Sequence, residues 1–435
     1  MAKDKDDKKE KKAKEPRPDK DMECMQLSKE LIREFNRDSD GKIAWSLATD
    51  TDNPTDVKTF ISTGNTLLDY CISNRRNGGI PVGKLTEISG EEASGKSLLV
   101  AHLIAEVQRR DGIAIYIDTE NSANPDFLTR VGVDVKAMVY LQPGCVEDVG
   151  DAIVKTINMA RAKAPGKIIL IAWDGIAATP CRAELNGEFD LNMNLQLEKS
   201  KVLSKMMRLI GDTVGKEQVA LVFTNQLKTK IGVMYGDPMT TPGGKAVPYA
   251  ASVRLRMESA GRQSDDKTKV VWGVRTRAKV VKNRLGPPFR NCVFDILFAS
   301  GIDDIGSWMD RLHESGEIFK QGGWCYLSSV PSGKIQGKGV HEGKDLGLSF
   351  QENGWEDFVA SKPLCPVFDK KTGEVVIDEK TKEQKVAPFD VKAHLLDLLQ
   401  KHMIVKFGEK PKDAVADPES LMDNEAALQA VQEST

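Results

Sequence analysis

The sequence predicts an α/β protein built around a central, mostly parallel sheet. Three observations carry that reading. Strands that are apolar throughout, such as Ile168-Ile169-Leu170-Ile171-Ala172-Trp173, alternate with helical segments, as in parallel sheets covered on both faces. These strands end in polar residues, and ligands of open α/β sheets bind at strand C-termini. The stretch Gly90-Glu91-Glu92-Ala93-Ser94-Gly95-Lys96-Ser97 fits G-x-x-x-x-G-K-[ST] between a strand and a helix, the context a phosphate-binding loop needs.

Composition bounds the rest. A chain of 435 residues exceeds one ordinary core and predicts a main domain of about 250 residues with flanks. No apolar run approaches about 18 residues, so no membrane span is expected. The Lys/Asp-rich N-terminus does not resemble a secretory signal. Seven scattered cysteines without a C-x-x-C pair predict a reducing, cytoplasmic setting with neither disulfides nor zinc. A net charge of −2 leaves nucleic-acid binding open, because only the distribution of charge bears on it.

In chain order, residues 1–21 are nearly all charged and are expected to be a disordered tail. Met25, Leu27, Leu31, Ile32 and Phe35 recur at helical spacing, and Lys42–Leu47 reads as a short apolar strand. Residues 22–57 thus form an arm that needs a partner surface. Lys84–Ser89 is the strand before the phosphate loop, and Leu98–Val107 the helix after it. Strands follow at Gly112–Glu120, Met138–Leu141, Lys167–Asp174 and Gln218–Gln226. Helices fall at Pro125–Arg130, Val146–Ala162 and Lys199–Val214. Strands near Ala251–Met257, Val270–Arg277 and Val293–Leu297 come without helices between them and predict an antiparallel extension. A second small domain is expected from about Ser300, with a loop or hairpin insertion at Asp369–Lys385. Residues 409–435 read as an acidic, disordered tail.

The chemistry gathers at the strand ends. In the loop, backbone N–H groups would wrap phosphates, Lys96 would neutralise the outer ones, and the Ser97 hydroxyl would reach Mg²⁺. Asp174 has the form of the carboxylate that holds the Mg²⁺ water shell in register with Ser97. Glu120 ends the neighbouring strand and could polarise an attacking water. Gln226 could sense the γ-phosphate through its amide. Trp272 to Arg290 carries six basic residues and no acid, which is either a solvated face or a surface for phosphate neutralisation.

Several blocks of the chain resemble the bacterial RecA recombinase family. They are "GGIPVGKLTEISGEEASGKS", "YIDTENSANPDFLTRVGVD", "LIAWDGIAATP", "FTNQLKTKIGVMYGDPMTTPGGKAVPYAASVRLR" and "AKVVKNRLGPPF". The similarity runs from about Phe60 to Trp355, and Lys230–Gly236 is specific to that family. The resemblance implies a RecA-like ATPase core at 58–299, a small helical oligomerisation arm at 22–57 and a small α+β C-terminal domain at 300–408. It implies a recombinase that polymerises as a helical filament on single-stranded DNA and pairs it with double-stranded DNA, with ATP and Mg²⁺ as cofactors. Single-strand-binding and loader proteins are further partners of such an enzyme. A hexameric helicase of the same core fold is the alternative.

Residue by residue, the resemblance makes Glu120 the catalytic glutamate and Gln226 the coupling glutamine, and sets Phe127 against the adenine. Glu184–Asn194 matches the first DNA-binding loop and Gln226–Gly244 the second. Lys201, Arg208, Lys228, Lys230, Gly243 and Gly244 would contact DNA backbone, while Ile231 would wedge between bases. Lys282 and Arg284 would reach the ATP of the adjacent subunit. Departures from the family pattern are Ser97 for threonine, Glu91-Glu92-Ala93-Ser94 for Pro-Glu-Ser-Ser, Gly175 for serine after Asp174, and Asn124 for aspartate. Pro242 and Pro248 stiffen the region after the second loop.

Overall fold

A computed structural model describes residues 18–39, 41–50, 53, 55–186, 193–229, 239–265, 267–330, 340–341, 344–367, 376–377 and 385–405. Residues 1–17, the middles of the two expected DNA loops, most of the Asp369–Lys385 insertion and the acidic tail lie outside these. The chain divides into two units, Met1–Asp56 and Val57–Thr435.

In the first unit, helix α1 spans Pro18–Arg37. It begins three residues before the predicted end of the charged tail, with proline where its missing N–H costs nothing. Met25, Leu27 and Phe35 are exposed along it. The strand expected at Lys42–Leu47 does not form. Its backbone is held by side chains instead: Asn36 Oδ1 accepts from the N–H groups of Ile43 and Ala44 at 2.8 and 2.9 Å, and Asn36 Nδ2 donates to the Ala44 carbonyl. A strand needs a neighbour to pair with, and here an asparagine substitutes for one.

The second unit is organised by a nine-stranded sheet. Its strands are β1 Leu85–Gly90, β2 Ile113–Asp118, β3 Val139–Leu141, β4 Ile169–Asp174, β5 Val219–Gln226, β6 Val253–Ser264, β7 Val271–Asn283, β8 Asn291–Leu297 and β9 Gly301–Asp303. The order is β9-β8-β7-β6-β1-β5-β4-β2-β3. Pairing is parallel from β6 through β1, β5, β4 and β2 to β3, and antiparallel from β6 outward to β9. The expected antiparallel extension is therefore present, with β6 and β7 running longer than predicted.

Side-chain alternation splits each central strand between two cores. Ile88, Ala114, Tyr116, Leu170, Ala172, Ala220 and Val222 face one layer, with helices α2 (Thr66–Ser73), α3 (Lys96–Arg109) and α4 (Pro125–Val131). Ile115, Ile117, Ile169, Ile171, Trp173, Leu221 and Phe223 face the other, with α5 (Val146–Lys163) and α6 (Met193–Lys216). Each fully buried aliphatic side chain here is worth about 1.5–3 kcal/mol relative to exposure.

The segment after Ser300 builds a three-stranded sheet from Ile318–Gln321, Trp324–Leu327 and Leu348–Phe350, with helices α7 (Asp304–Glu314), α8 (Trp355–Ala360) and α9 (Val391–Met403). Its Trp308, Trp355, Leu395 and Leu399 belong to the same apolar cluster as α2 and α3, so it shares a core with the layer that contains the helix after the phosphate loop. Leu364–Pro366 pairs with Val386–Pro388 as the stem that flanks the insertion.

Candidate functional site

Four parallel strands deliver their C-terminal ends side by side. Gly90 of β1 pairs with Gln226 of β5, and Asp118 of β2 with Asp174 of β4. The phosphate-loop residues, Asp174, Glu120 and Gln226 thus share one sheet edge, as expected from the sequence.

The loop is shaped as an anion cradle. Gly95 caps α3 in the left-handed region at φ 92°, and a Cβ there would come within 2.5 Å of Ile296 Cδ1. No side chain caps the helix, so its first N–H groups stay available to an anion. Gly90 is pressed between Ser94 and the Met257 carbonyl, which leaves no room for a side chain. Ser94 is buried and donates to the Glu91 carbonyl at 2.8 Å, closing the turn, while Ala93 adopts φ 57°. Glu91, Glu92 and Ala93 are exposed on the loop's outer surface. Two acids in a phosphate loop are accommodated because they enter through their backbone, not their carboxylates. Lys96 Nζ donates to the Gly90 and Glu91 carbonyls at 3.1 and 2.6 Å. Burial holds its pKa below the ordinary lysine value, partly offset by Glu120 and Asp174.

Asp174 is buried, and both of its oxygens accept hydroxyl hydrogen bonds, one from Thr224 and one from Tyr116 at 2.7 Å. The sequence reading missed Thr224 and Tyr116. The signal for Thr224 was present, since Thr224-Asn225-Gln226 places three polar residues in succession at the end of an apolar strand. Glu120 is exposed at the mouth of the site. The preceding turn is fixed by Asp118, which accepts from the N–H groups of Glu120 and Ala123 and from the Tyr140 hydroxyl at 2.9–3.0 Å. Partial burial and the nearby Asp174 raise the pKa of Glu120, and Lys96 opposes the shift. Phe127 is half-buried in the first turn of α4, and Asn124 caps that helix by accepting from Asp126 N–H and Phe127 N–H. The aspartate-to-asparagine departure therefore retains a helix cap.

These groups suit a nucleotide with Mg²⁺. Among the described residues no cluster of three acidic, histidine or cysteine side chains could hold a metal alone. Mg²⁺ bound to phosphates keeps several waters and takes only one or two protein ligands. Ser97 in the first turn of α3 and the pinned Asp174 carboxylate match that demand.

The residues expected to contact DNA are only partly brought together. Lys228-Thr229 pairs with Met239-Thr240 as the stem of the second loop. Gly243 lies against Leu203 and Gly244 against Ser200, so the end of this loop packs on α6, which also carries exposed Lys201 and Arg208. Lys201 pairs with Glu198 at 2.8 Å. Lys230 and Ile231 lie outside the described residues. Lys282 and Arg284 are not at the phosphate loop of their own chain. Ala278 of β7 and Gly90 of β1 both pair with Met257 of β6, while Lys282 pairs with Arg254, farther from the sheet edge. Lys282 Nζ donates to the Pro248 and Tyr249 carbonyls.

Part of the basic run Trp272–Arg290 is engaged within the chain. Arg275 pairs with Asp310, Lys279 with Glu258, and Arg290 donates to the Tyr70 and Met403 carbonyls. The partners come from other segments, which is why the run looked unneutralised in one dimension.

A glycine-rich loop opening a helix, a pinned acid on the adjoining strand and a carboxylate at their mouth have the form of a phosphate-loop nucleotide-binding protein of the parallel-sheet class. The family model described as the RecA N-terminal domain matches residues 30–303. Protein RecA of Synechococcus elongatus is 40% identical over 296 residues, covering 67% of this chain and 76% of the relative. Protein RecA of Parasynechococcus marenigrum is 36% identical over 308 residues, 70% of this chain and 75% of the relative. The chain belongs to the RecA family, whose function is DNA recombination and repair. The family assignment selects recombinase over the helicase alternative.

Proposed function

We propose that the chain is a DNA-dependent ATPase that assembles as a helical filament on single-stranded DNA and uses ATP to time homologous pairing and strand exchange. One observation carries the coupling: Leu227 N–H donates to the carbonyl of Gly90 at 3.2 Å. This bond ties the first residue of the phosphate loop to the segment between Gln226 and the stem of the second DNA loop. A γ-phosphate that draws Gln226 toward it would shift that stem, so nucleotide state and DNA grip would change together.

In this reading the cradle and Lys96 bind and orient the triphosphate. Ser97 and Asp174 would hold Mg²⁺, which when bound supplies charge neutralisation to the phosphates. Glu120 accepts the proton of the attacking water. Lys282 and Arg284 reach the nucleotide of the adjacent subunit, and the exposed apolar residues of α1 dock on a neighbouring copy. Lys201, Arg208, Lys228, Lys230, Ile231, Gly243 and Gly244 contact the DNA strand, with duplex DNA as the second substrate.

The test is ATP turnover with and without single-stranded DNA, paired with a strand-exchange assay. Strong stimulation and joint-molecule formation are expected. Turnover indifferent to DNA, with no exchange, overturns the reading.

A further inference from the structure

A cavity of about 950 Å³ opens between α2, the end of α3 and helices α7 and α9. Lys96 and Arg110 bracket α3, so the cavity lies about 20 Å from the phosphate loop at 1.5 Å per residue. Its walls carry Arg75, Arg76, Arg110 and Lys392. Among the described residues Arg75, Arg110 and Lys392 form no ion pair. Arg75 lies over the Phe60 ring at 4.6 Å, and Arg110 donates to the Phe60 carbonyl. Arg76 pairs with Asp397 at 2.8 Å. Three carboxylates, Asp69, Glu106 and Asp304, also line the cavity, but they are already engaged, Glu106 by Arg109. Asp69 accepts from Ser62 and Thr63, and Asp304 from Thr66 and Trp308.

Tyr70 supplies an independent observation. It lines the same cavity and is only 2% exposed, yet its buried hydroxyl has no hydrogen-bond partner. The hydroxyl is closed to solvent, so an anion oxygen reaches it only by parting the cavity wall, and meeting it would recover the about 1–3 kcal/mol that an orphaned buried hydroxyl costs.

We infer that this cavity binds a compact oligophosphate anion, free or carried on a nucleoside, at a site separate from the phosphate loop. Guanidinium groups match phosphate oxygens in pairs, and the volume falls in the range of small-ligand sites. An oligophosphate concentrates several charges in the span of the cationic wall, whereas an acidic peptide would spread the same charges over a larger volume.

The test is calorimetric titration of sodium tripolyphosphate into the full chain with ADP and Mg²⁺ present to fill the phosphate loop. Saturable binding is expected, weakened about tenfold or more by Arg75→Ala and about three- to tenfold by Tyr70→Phe. Tyr70→Phe should leave the melting temperature level or raised, since the hydroxyl has no partner to lose. Uridine triphosphate in parallel distinguishes the sources: equal affinity assigns the site to free oligophosphate, and tighter binding to a nucleotide. The inference fails if no saturable binding is seen, or if both variants bind as the parent does. It fails equally if a single-stranded oligonucleotide displaces tripolyphosphate from the parent but not from Arg75→Ala, which would make the cavity a nucleic-acid contact.

Discussion

Gly175 makes room for Glu120. It adopts φ 108°, and a Cβ built on it would come within 2.6 Å of Glu120 Cγ and 2.9 Å of Oε1. The residue after the strand-end aspartate is thereby linked to the position of the proposed base. Gly175→Ala should add about 1–3 kcal/mol of backbone strain and push Glu120 aside. The expected outcome is ATP turnover lowered at least about tenfold with nucleotide binding retained, against a loss of about 10²–10⁴-fold for Glu120→Gln. Because the Glu120 pKa is raised, turnover of the parent should climb through an inflection above the usual carboxylate range. Steady-state rates and equilibrium binding of a non-hydrolysed analogue, measured across pH, check both statements.

The Asp174 carboxylate is held by two hydroxyls, and they can be removed one at a time. Thr224→Val keeps the shape of the side chain but deletes the hydroxyl that meets Asp174 Oδ1 and the acceptor for Gly175 N–H. Leaving a buried carboxylate oxygen short of a donor costs about 1–3 kcal/mol. Thermal stability should fall, and the Mg²⁺ concentration required for half-maximal turnover should rise. Thr224→Ser should restore both. If Thr224→Val changes stability alone, the hydroxyl does not position the metal-facing acid.

Much of this site could be read from the chain because its elements are local. The phosphate loop is eight consecutive residues, and the acids close apolar runs whose period and length identify buried strands. The partners of those acids were less legible. Tyr116 and Thr224 sit on strands separated from Asp174 by tens of residues, and only parallel pairing brings their hydroxyls to its oxygens. Part of the basic run is neutralised in the same way, since Asp310 meets Arg275 and Glu258 meets Lys279 from outside the run. At Lys42–Leu47 the residue types suited a strand, but Asn36 occupied the backbone groups that pairing requires.

Asp69 should impose a pH dependence on stability opposite to that of most carboxylates. Burial holds its pKa up to about 7 against 3.8, although Ser62 and Thr63 donate to it. Between pH 4 and 7 the native state keeps a proton that the unfolded chain has released, so stability falls as pH rises through this window and is level above it. His102 acts the other way: burial presses its pKa down to about 4, so its contribution grows as pH rises toward 6.5. Comparing the parent with Asp69→Asn isolates the first effect, because the amide oxygen can accept from Thr63 and the amide NH2 donate to the Ser62 hydroxyl without titrating. The stability gap should shift in favour of the variant by at most about 1.4 kcal/mol per pH unit from 4 to 7. Urea midpoints at several pH values measure it, and a gap that stays constant would show that Asp69 titrates near its ordinary value.

Asn225, next to Gln226, bridges the phosphate-loop strand and the end of the proposed second DNA loop. Its Nδ2 donates to Glu87 Oε1 at 3.0 Å and to the Pro242 carbonyl at 3.1 Å, one residue before the paired glycines of the second loop. Glu87 is fully buried in the phosphate-loop strand and is paired with Arg254. A buried ion pair of this kind costs several kcal/mol to break, so Glu87 and Arg254 make poor probes of coupling. Asn225→Leu leaves the Glu87–Arg254 pair in place and removes the two amide bonds, to Glu87 and to Pro242. It should cost about 1–3 kcal/mol of stability, leave turnover without DNA within about threefold of the parent, and sharply reduce stimulation by single-stranded DNA. Parallel loss of basal and stimulated rates would instead place Asn225 in the support of the catalytic edge, with no part in relaying nucleotide state to the loop.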